Sequence, residues 1–244
     1  HQLASADNIP SRIREAIRLA EEEKPGATHL EFPEDVADEH TDSVPLKPSL
    51  HRRPHADEKG VRAAVKRIEQ AKAPILVIGA GANRKMTSRM LLQFVEKTGI
   101  PFVTTQLGKG VIDETHPLFL GCAALSAGDF VHRAIEAADL IINVGQDVIE
   151  KPPFFMKQGG PEVIHVSTRT AEVDPVYFPH IEVIGDIANA IWQIKQDIVP
   201  SGNWNFDRML KARKAEVDHT NSICDDMRYP IFPACLVKQI REAM

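Results

Sequence analysis

Ala73-Pro-Ile-Leu-Val-Ile-Gly-Ala-Gly-Ala82 decides how the rest of this chain is read. A short β-branched run that stops on two glycines predicts a buried strand, a sharp turn above its end, and a helix from Arg84 onward. Small residues at such a turn let backbone N–H groups face whatever lies above the strand, which is how an open α/β sheet makes a ligand crevice. The pattern repeats from about Val61 to Pro200. Strands are expected at Ile75 to Ile78, Pro101 to Thr105, Leu118 to Gly121, Leu140 to Val144, Val163 to Ser167 and Ile181 to Ile184. Helices are expected at Lys85 to Lys97, ending on Thr98-Gly99, at Asp129 to Ala138, and at Ile187 to Ile198 behind an Asp186 N-cap. Val- and Ile-rich runs alternating with amphipathic helices predict an α/β fold: a doubly wound, mostly parallel six-stranded sheet with helices on both faces.

Composition bounds the function. A formal charge of -5 with both signs interspersed argues against a nucleic-acid partner. The one local basic cluster, His51, Arg52, Arg53 and His55, reads as solvated linker. Three cysteines, Cys122, Cys224 and Cys235, share no metal or redox spacing, which fits reduced thiols and a cytoplasmic location. The ten histidines are scattered without ligand spacing, so no metal site is expected. Apolar runs are far too short to span a bilayer, and residue 1 opens no signal peptide.

The flanks read as pieces of something larger. Ile13, Ile17 and Ala20 recur at helical spacing after Pro10, and Thr28 to Phe32 is expected to be a short strand. Residues 38 to 54 carry no apolar period, as a linker would. After Pro200 the strand rhythm stops; a charged helical stretch follows Trp204, and Pro230 leads into a last amphipathic helix.

Four loops at strand ends are candidate binding segments. Gly79, Gly81, Ala82 and Asn83 supply two glycines of a dinucleotide fingerprint, but Arg84 stands at the third and no acidic residue ends the next strand. Thr105, Leu107 and Gly108 follow that second strand, beside Lys109. Gly145, Gln146 and Asp147 open a long loop that reaches Pro161, in which Phe154, Phe155 and Met156 either line a site or pack on a neighbouring domain. Ser167 stands at the end of a further strand. No nucleophile and base pair accompanies these loops, so no catalytic residue is assigned. A stand-alone module for FAD, NAD or ADP, and a scaffold without catalysis, are both open on these residues.

Pro25 to Val36, Ala73 to Gly79, Leu107 to Gly110, His116 to Gly121 and Ala138 to Gly145 together resemble the acetolactate synthase branch of the thiamine-diphosphate-dependent enzymes. The resemblance implies a central domain at 61–200, flanked by the end of a pyrimidine-binding domain at 1–45, linkers at 46–60 and 201–229, and the start of a pyrophosphate-binding domain at 230–244. It implies a parent enzyme that decarboxylates a 2-oxo acid such as pyruvate and transfers the two-carbon unit to an acceptor, in branched-chain amino acid biosynthesis. Thiamine diphosphate and Mg²⁺ would then be held by domains outside this chain, so that the fragment itself is inactive. Glu31 is a structural position in the resemblance, not the catalytic glutamate. The parent is expected to be a homo-oligomer. The family's central domain also carries FAD, or in related carboligases ADP, and the resemblance transfers such contacts to Gly79, Gly81, Thr105, Leu107, Gly108, the loop after Gly121, Gly145 to Asp147, Ser167 and Asp186. This chain departs from it where Gly145-Gln-Asp-Val-Ile-Glu-Lys replaces Gly-Ala-Arg-Phe-Asp-Asp-Arg, losing an arginine for the cofactor's phosphates, and where Gly121-Cys-Ala-Ala-Leu replaces Gly-Met-x-Gly.

Overall fold

The structure is a computed structural model, and it describes residues 1–48, 53–123, 128–147, 150, 156–173, 175–224 and 229–243. His51 and Arg52 of the basic cluster, Ala124 and Leu125 after Gly121, and Phe154 and Phe155 lie outside the described residues. The chain divides into two compact units, 1–54 and 55–244, each taken by itself below.

In the first unit, α1 (Ile9–Glu21) starts with Pro10 in its first turn, where a missing N–H costs nothing. A four-residue helix, α2 (Glu34–Ala37), follows. Leu3, Ala6, Ala16 and Val36 are each buried, while Ile13 and Ile17 on α1 stay about half exposed. The strand expected at 28–32 is corrected to a single parallel bridge, Gln2 with Glu31. A lone extended segment with one bridging partner cannot build a ladder, whatever its β-propensity.

The second unit carries β1 (Pro74–Ile78), β2 (Phe102–Thr105), β3 (Phe119–Ala123), β4 (Leu140–Val144), β5 (Glu162–Ser167) and β6 (Ile181–Ile184). They form one sheet in the order β3-β2-β1-β4-β5-β6, and every neighbouring pair is parallel. The six-stranded doubly wound α/β sheet read from the sequence is the fold observed. Alternation sorts the side chains into two cores. Leu76, Ile78, Ile142, Val144 and Val166 face α3 (Glu58–Gln70), α4 (Lys85–Thr98) and α6 (Ile187–Asp197). Ile75, Val77, Ile141 and Val163 face the other side, with Val131, Ala134 and Ile135 of α5 (Phe130–Glu136) and Met209 of α7 (Asp207–Cys224). Both faces are covered, as a parallel sheet requires.

Local chemistry sets the element ends. Asp57 caps α3 by accepting from Gly60 N, and Asp186 caps α6 by accepting from Asn189 N at 2.9 Å. Gly99, at φ 71°, closes α4 in the left-handed conformation and donates to Val95 O. Asp139 accepts from Lys72 N and Ala73 N, which ties the entry of β4 to that of β1. Within the 201–229 stretch expected to be linker, residues 207–224 are helix α7, and Met209 is fully buried. A final helix, α8 (Pro233–Ala243), follows.

Candidate functional site

Strand order reverses between β1 and β4, so the crevice where open α/β sheets take ligands lies above Gly79 and Gly145. Here that crevice is closed by the chain itself. Gly81 N donates to Gly145 O at 2.9 Å, and Gly79 N donates to Val144 O at 2.8 Å. Ala82 N donates back to Gly79 O, and Ala82 is fully buried in the core. Ala80 N donates to Glu150 Oε2 at 2.9 Å. The neighbouring Oε1 accepts from the Thr105 hydroxyl, which in turn accepts from Gly108 N at 3.1 Å. Glu150 is 8% exposed, and among the described residues no Lys, Arg or His lies within ion-pair distance of it.

The glycines are explained by this closure. A Cβ on Gly79 would stand 2.7 Å from Gly145 O and 2.8 Å from Glu150 Oε2. One on Gly108 would stand 2.0 Å from Ile78 O. Gly145 has φ 71°, and its Cβ would lie 2.4 Å from Ala82 N. Close approach of backbone to backbone, rather than of backbone to ligand, is what these positions demand.

The other candidate residues divide between this cluster and the periphery. Gln146 joins the closure, donating to Glu150 O at 2.9 Å and to Asp147 O at 3.1 Å, while Asp147 O also accepts from Glu150 N. Gly121 sits against α5, where a Cβ would meet Val131. Ser167 O accepts from Gly185 N, and Asp186 is engaged as a helix cap. Leu107 and Asn83 are exposed. Met156, left open between site and domain packing, is fully buried in the domain's own second core.

A buried polar chain runs from this loop across the sheet. Asn143, fully buried at the end of β4, donates through Nδ2 to Gln146 Oε1 at 3.2 Å and to the Tyr177 hydroxyl at 3.0 Å. That hydroxyl lies 2.6 Å from His165 Nδ1, and His165 Nε2 lies 2.9 Å from Arg169 O. A carbonyl can only accept, so Nε2 carries the proton and Tyr177 donates to Nδ1. Burial pushes the His165 pKa down and the Tyr177 pKa up, which keeps both neutral. Sequence reasoning did not find Glu150, His165 or Tyr177. For Glu150 the one available signal is its place five positions after Gly145, the glycine that follows β4.

The arrangement offers little chemistry. Burial pushes the Cys122 thiol up, away from nucleophilic thiolate. Among the described residues no three His, Cys, Asp or Glu side chains are grouped to hold a metal ion, and no helix is long and apolar enough to cross a membrane.

Comparison with known proteins agrees with the fold. The family described as thiamine pyrophosphate enzyme, central domain, matches residues 61–194. An acetolactate synthase of Bacillus subtilis is 29% identical over 204 residues, covering 81% of this chain and 35% of that protein. A probable acetolactate synthase large subunit of Methanocaldococcus jannaschii is 26% identical, covering 100% of this chain and 43% of that protein. A putative thiamin diphosphate-dependent enzyme of Mycobacterium smegmatis, solved by X-ray crystallography, superposes with a TM-score of 0.66 at 25% identity, over 83% of this chain and 39% of that one. The chain thus spans well under half the length of the proteins it matches. With the matched family region covering more than half of its residues, and with the sheet order described above, this chain belongs to the thiamine pyrophosphate enzymes through their central domain.

Proposed function

We propose that this chain supplies the central domain of a thiamine-diphosphate-dependent 2-oxo acid decarboxylase and carboligase of acetolactate synthase type. The observation that carries the reading is the family match over 61–194 together with acetolactate synthases among the relatives. Residues 1–45 then end the pyrimidine-binding domain and 230–244 begin the pyrophosphate-binding domain, and the assembled enzyme is a cytoplasmic homo-oligomer. The described residues do not fit thiamine diphosphate or its Mg²⁺. The N–H groups of Gly79 to Ala82, Gly108 and Gly145 at the switch point are engaged within the chain, and among the described residues no carboxylate cluster is placed for the metal. The role of this domain is to hold the flanking layers in register, and the reacting groups belong to those layers.

The test compares the 244-residue chain with the protein encoded by the complete reading frame. Each is given pyruvate, thiamine diphosphate and Mg²⁺, and release of CO₂ and formation of acetolactate are followed. The complete protein is expected to turn over and the 244-residue chain is not. Turnover by the shorter chain overturns the assignment of catalysis to other domains, and a complete protein that ignores pyruvate overturns the acetolactate synthase reading.

A further inference from the structure

We propose that Glu150 is the resident anion of the crevice above β1 and β4, and that its carboxylate closes this domain to FAD and ADP. The inference stands on the geometry of the domain alone and does not depend on which 2-oxo acid the parent enzyme uses.

A dinucleotide phosphate binds above a strand end because free N–H groups converge there and because glycines let it approach the backbone. Both conditions fail here. The N–H groups of Gly79, Ala80, Gly81 and Ala82 are all engaged, three with main-chain carbonyls and one with Glu150. In the next loop Gly108 N is held by Thr105, and Gly145 N donates to Val166 O at 2.8 Å. The room made by Gly79 is filled, since even a methyl group there would meet the Glu150 carboxylate and the Gly145 carbonyl.

Glu150 takes the part an external anion would play. Its two oxygens accept from one main-chain N–H and one hydroxyl, and among the described residues N–H and O–H dipoles, with no cation beside them, solvate the carboxylate. Its own backbone is fixed at both polar atoms, N to Asp147 O and O from Gln146 Nε2. A phosphate entering this crevice would have to expel a carboxylate nine-tenths buried and leave it without partners, and its own charge would face that carboxylate meanwhile. Both effects favour rejection.

The experiment follows ligand binding and thermal unfolding for the wild-type chain, Glu150→Ala and Glu150→Gln, with FAD, ADP and formate as probes. Wild type is expected to give no saturable heat with FAD or ADP. One-to-one binding of either nucleotide to wild type overturns the proposal. Glu150→Ala removes the anion and opens its place, so its Tm is expected to fall by several degrees and to rise with added formate more than that of wild type. Equal responses to formate overturn the proposal. Should Glu150→Ala not fold, Glu150→Gln keeps the shape without the charge. Its Tm is expected below wild type and is not raised by formate, because the space is still filled; a Tm equal to wild type overturns the proposal.

Discussion

Replacing Tyr177 by Phe removes one oxygen from the middle of the buried polar chain, and its cost can be worked out atom by atom. The hydroxyl accepts from Asn143 Nδ2 at 3.0 Å and donates to His165 Nδ1 at 2.6 Å. Asn143 Nδ2 keeps Gln146 Oε1 as a partner, whereas His165 Nδ1 is left without a donor on a residue that is 3% exposed. An orphaned buried acceptor costs about 1–3 kcal/mol. The edge-on contact of the two rings, centroids 5.8 Å apart, survives in Phe, so packing contributes little to the change. In a domain of this size each kcal/mol moves Tm by roughly 2–4 °C, and the expected fall is about 2–12 °C by calorimetry. His165→Phe should cost a similar amount, because it takes the acceptor from the Tyr177 O–H and the donor from the Arg169 carbonyl. The double variant should lose less than the sum of the singles, by about 0.5–3 kcal/mol, because neither hydroxyl nor imidazole is then left unpaired. Strictly additive losses, or a Tyr177→Phe protein as stable as wild type, would refute the hydrogen bond between Tyr177 and His165 as a source of stability.

The same histidine predicts a pH dependence. Burial holds its folded pKa below the usual value of about 6.5, so the unfolded chain takes up a proton that the folded chain refuses. The stabilisation is therefore present above about pH 6.5 and is lost as pH falls through the folded value; urea titrations of wild type and His165→Gln should show the difference between them narrowing from pH 8 to pH 5.5. Gly145→Ala combines a left-handed φ of 71° with a Cβ 2.4 Å from Ala82 N, and should cost about 3 kcal/mol or more, read as a large loss of Tm or of soluble yield. Asp186→Ala removes the cap on α6 and should cost about 0.5–2 kcal/mol in chemical denaturation, with Asp186→Asn recovering most of it. A loss shared equally by Ala and Asn would show that the Asp186 charge, rather than its cap geometry, is what matters.

Five of the six strands were legible as β-branched runs closed by turn residues, β3 (Phe119–Ala123) being the exception, and β4 and β6 have the bounds the sequence predicts. Gly99 marked the end of α4 because only a residue at ease with positive φ closes a helix in that way. Where a segment's fate depends on remote partners, local pattern misled. Residues 28–32 have strand composition but find one bridge, and the charged stretch after Trp204, helical as read, carried no sign that Met209 would be buried in the second core. The candidate site was legible as a place and not as a state. Two glycines after β1 and one after β4 pointed to the strand ends, and those ends do meet at the switch point.

Within the second unit the amino-acid order alone determined which segments are strand and which helix, that the sheet is parallel and covered on both faces, and which family the chain resembles, since all of these rest on periods of two and 3.6 and on motifs written locally. Tertiary structure decided what the glycine crevice contains. Ala80 and Glu150 are 70 positions apart, and Thr105 and Glu150 are 45 apart. A hydrogen-bond donor looks the same in sequence whether it waits for a phosphate or already holds a carboxylate, and only the folded chain brings its partner to it.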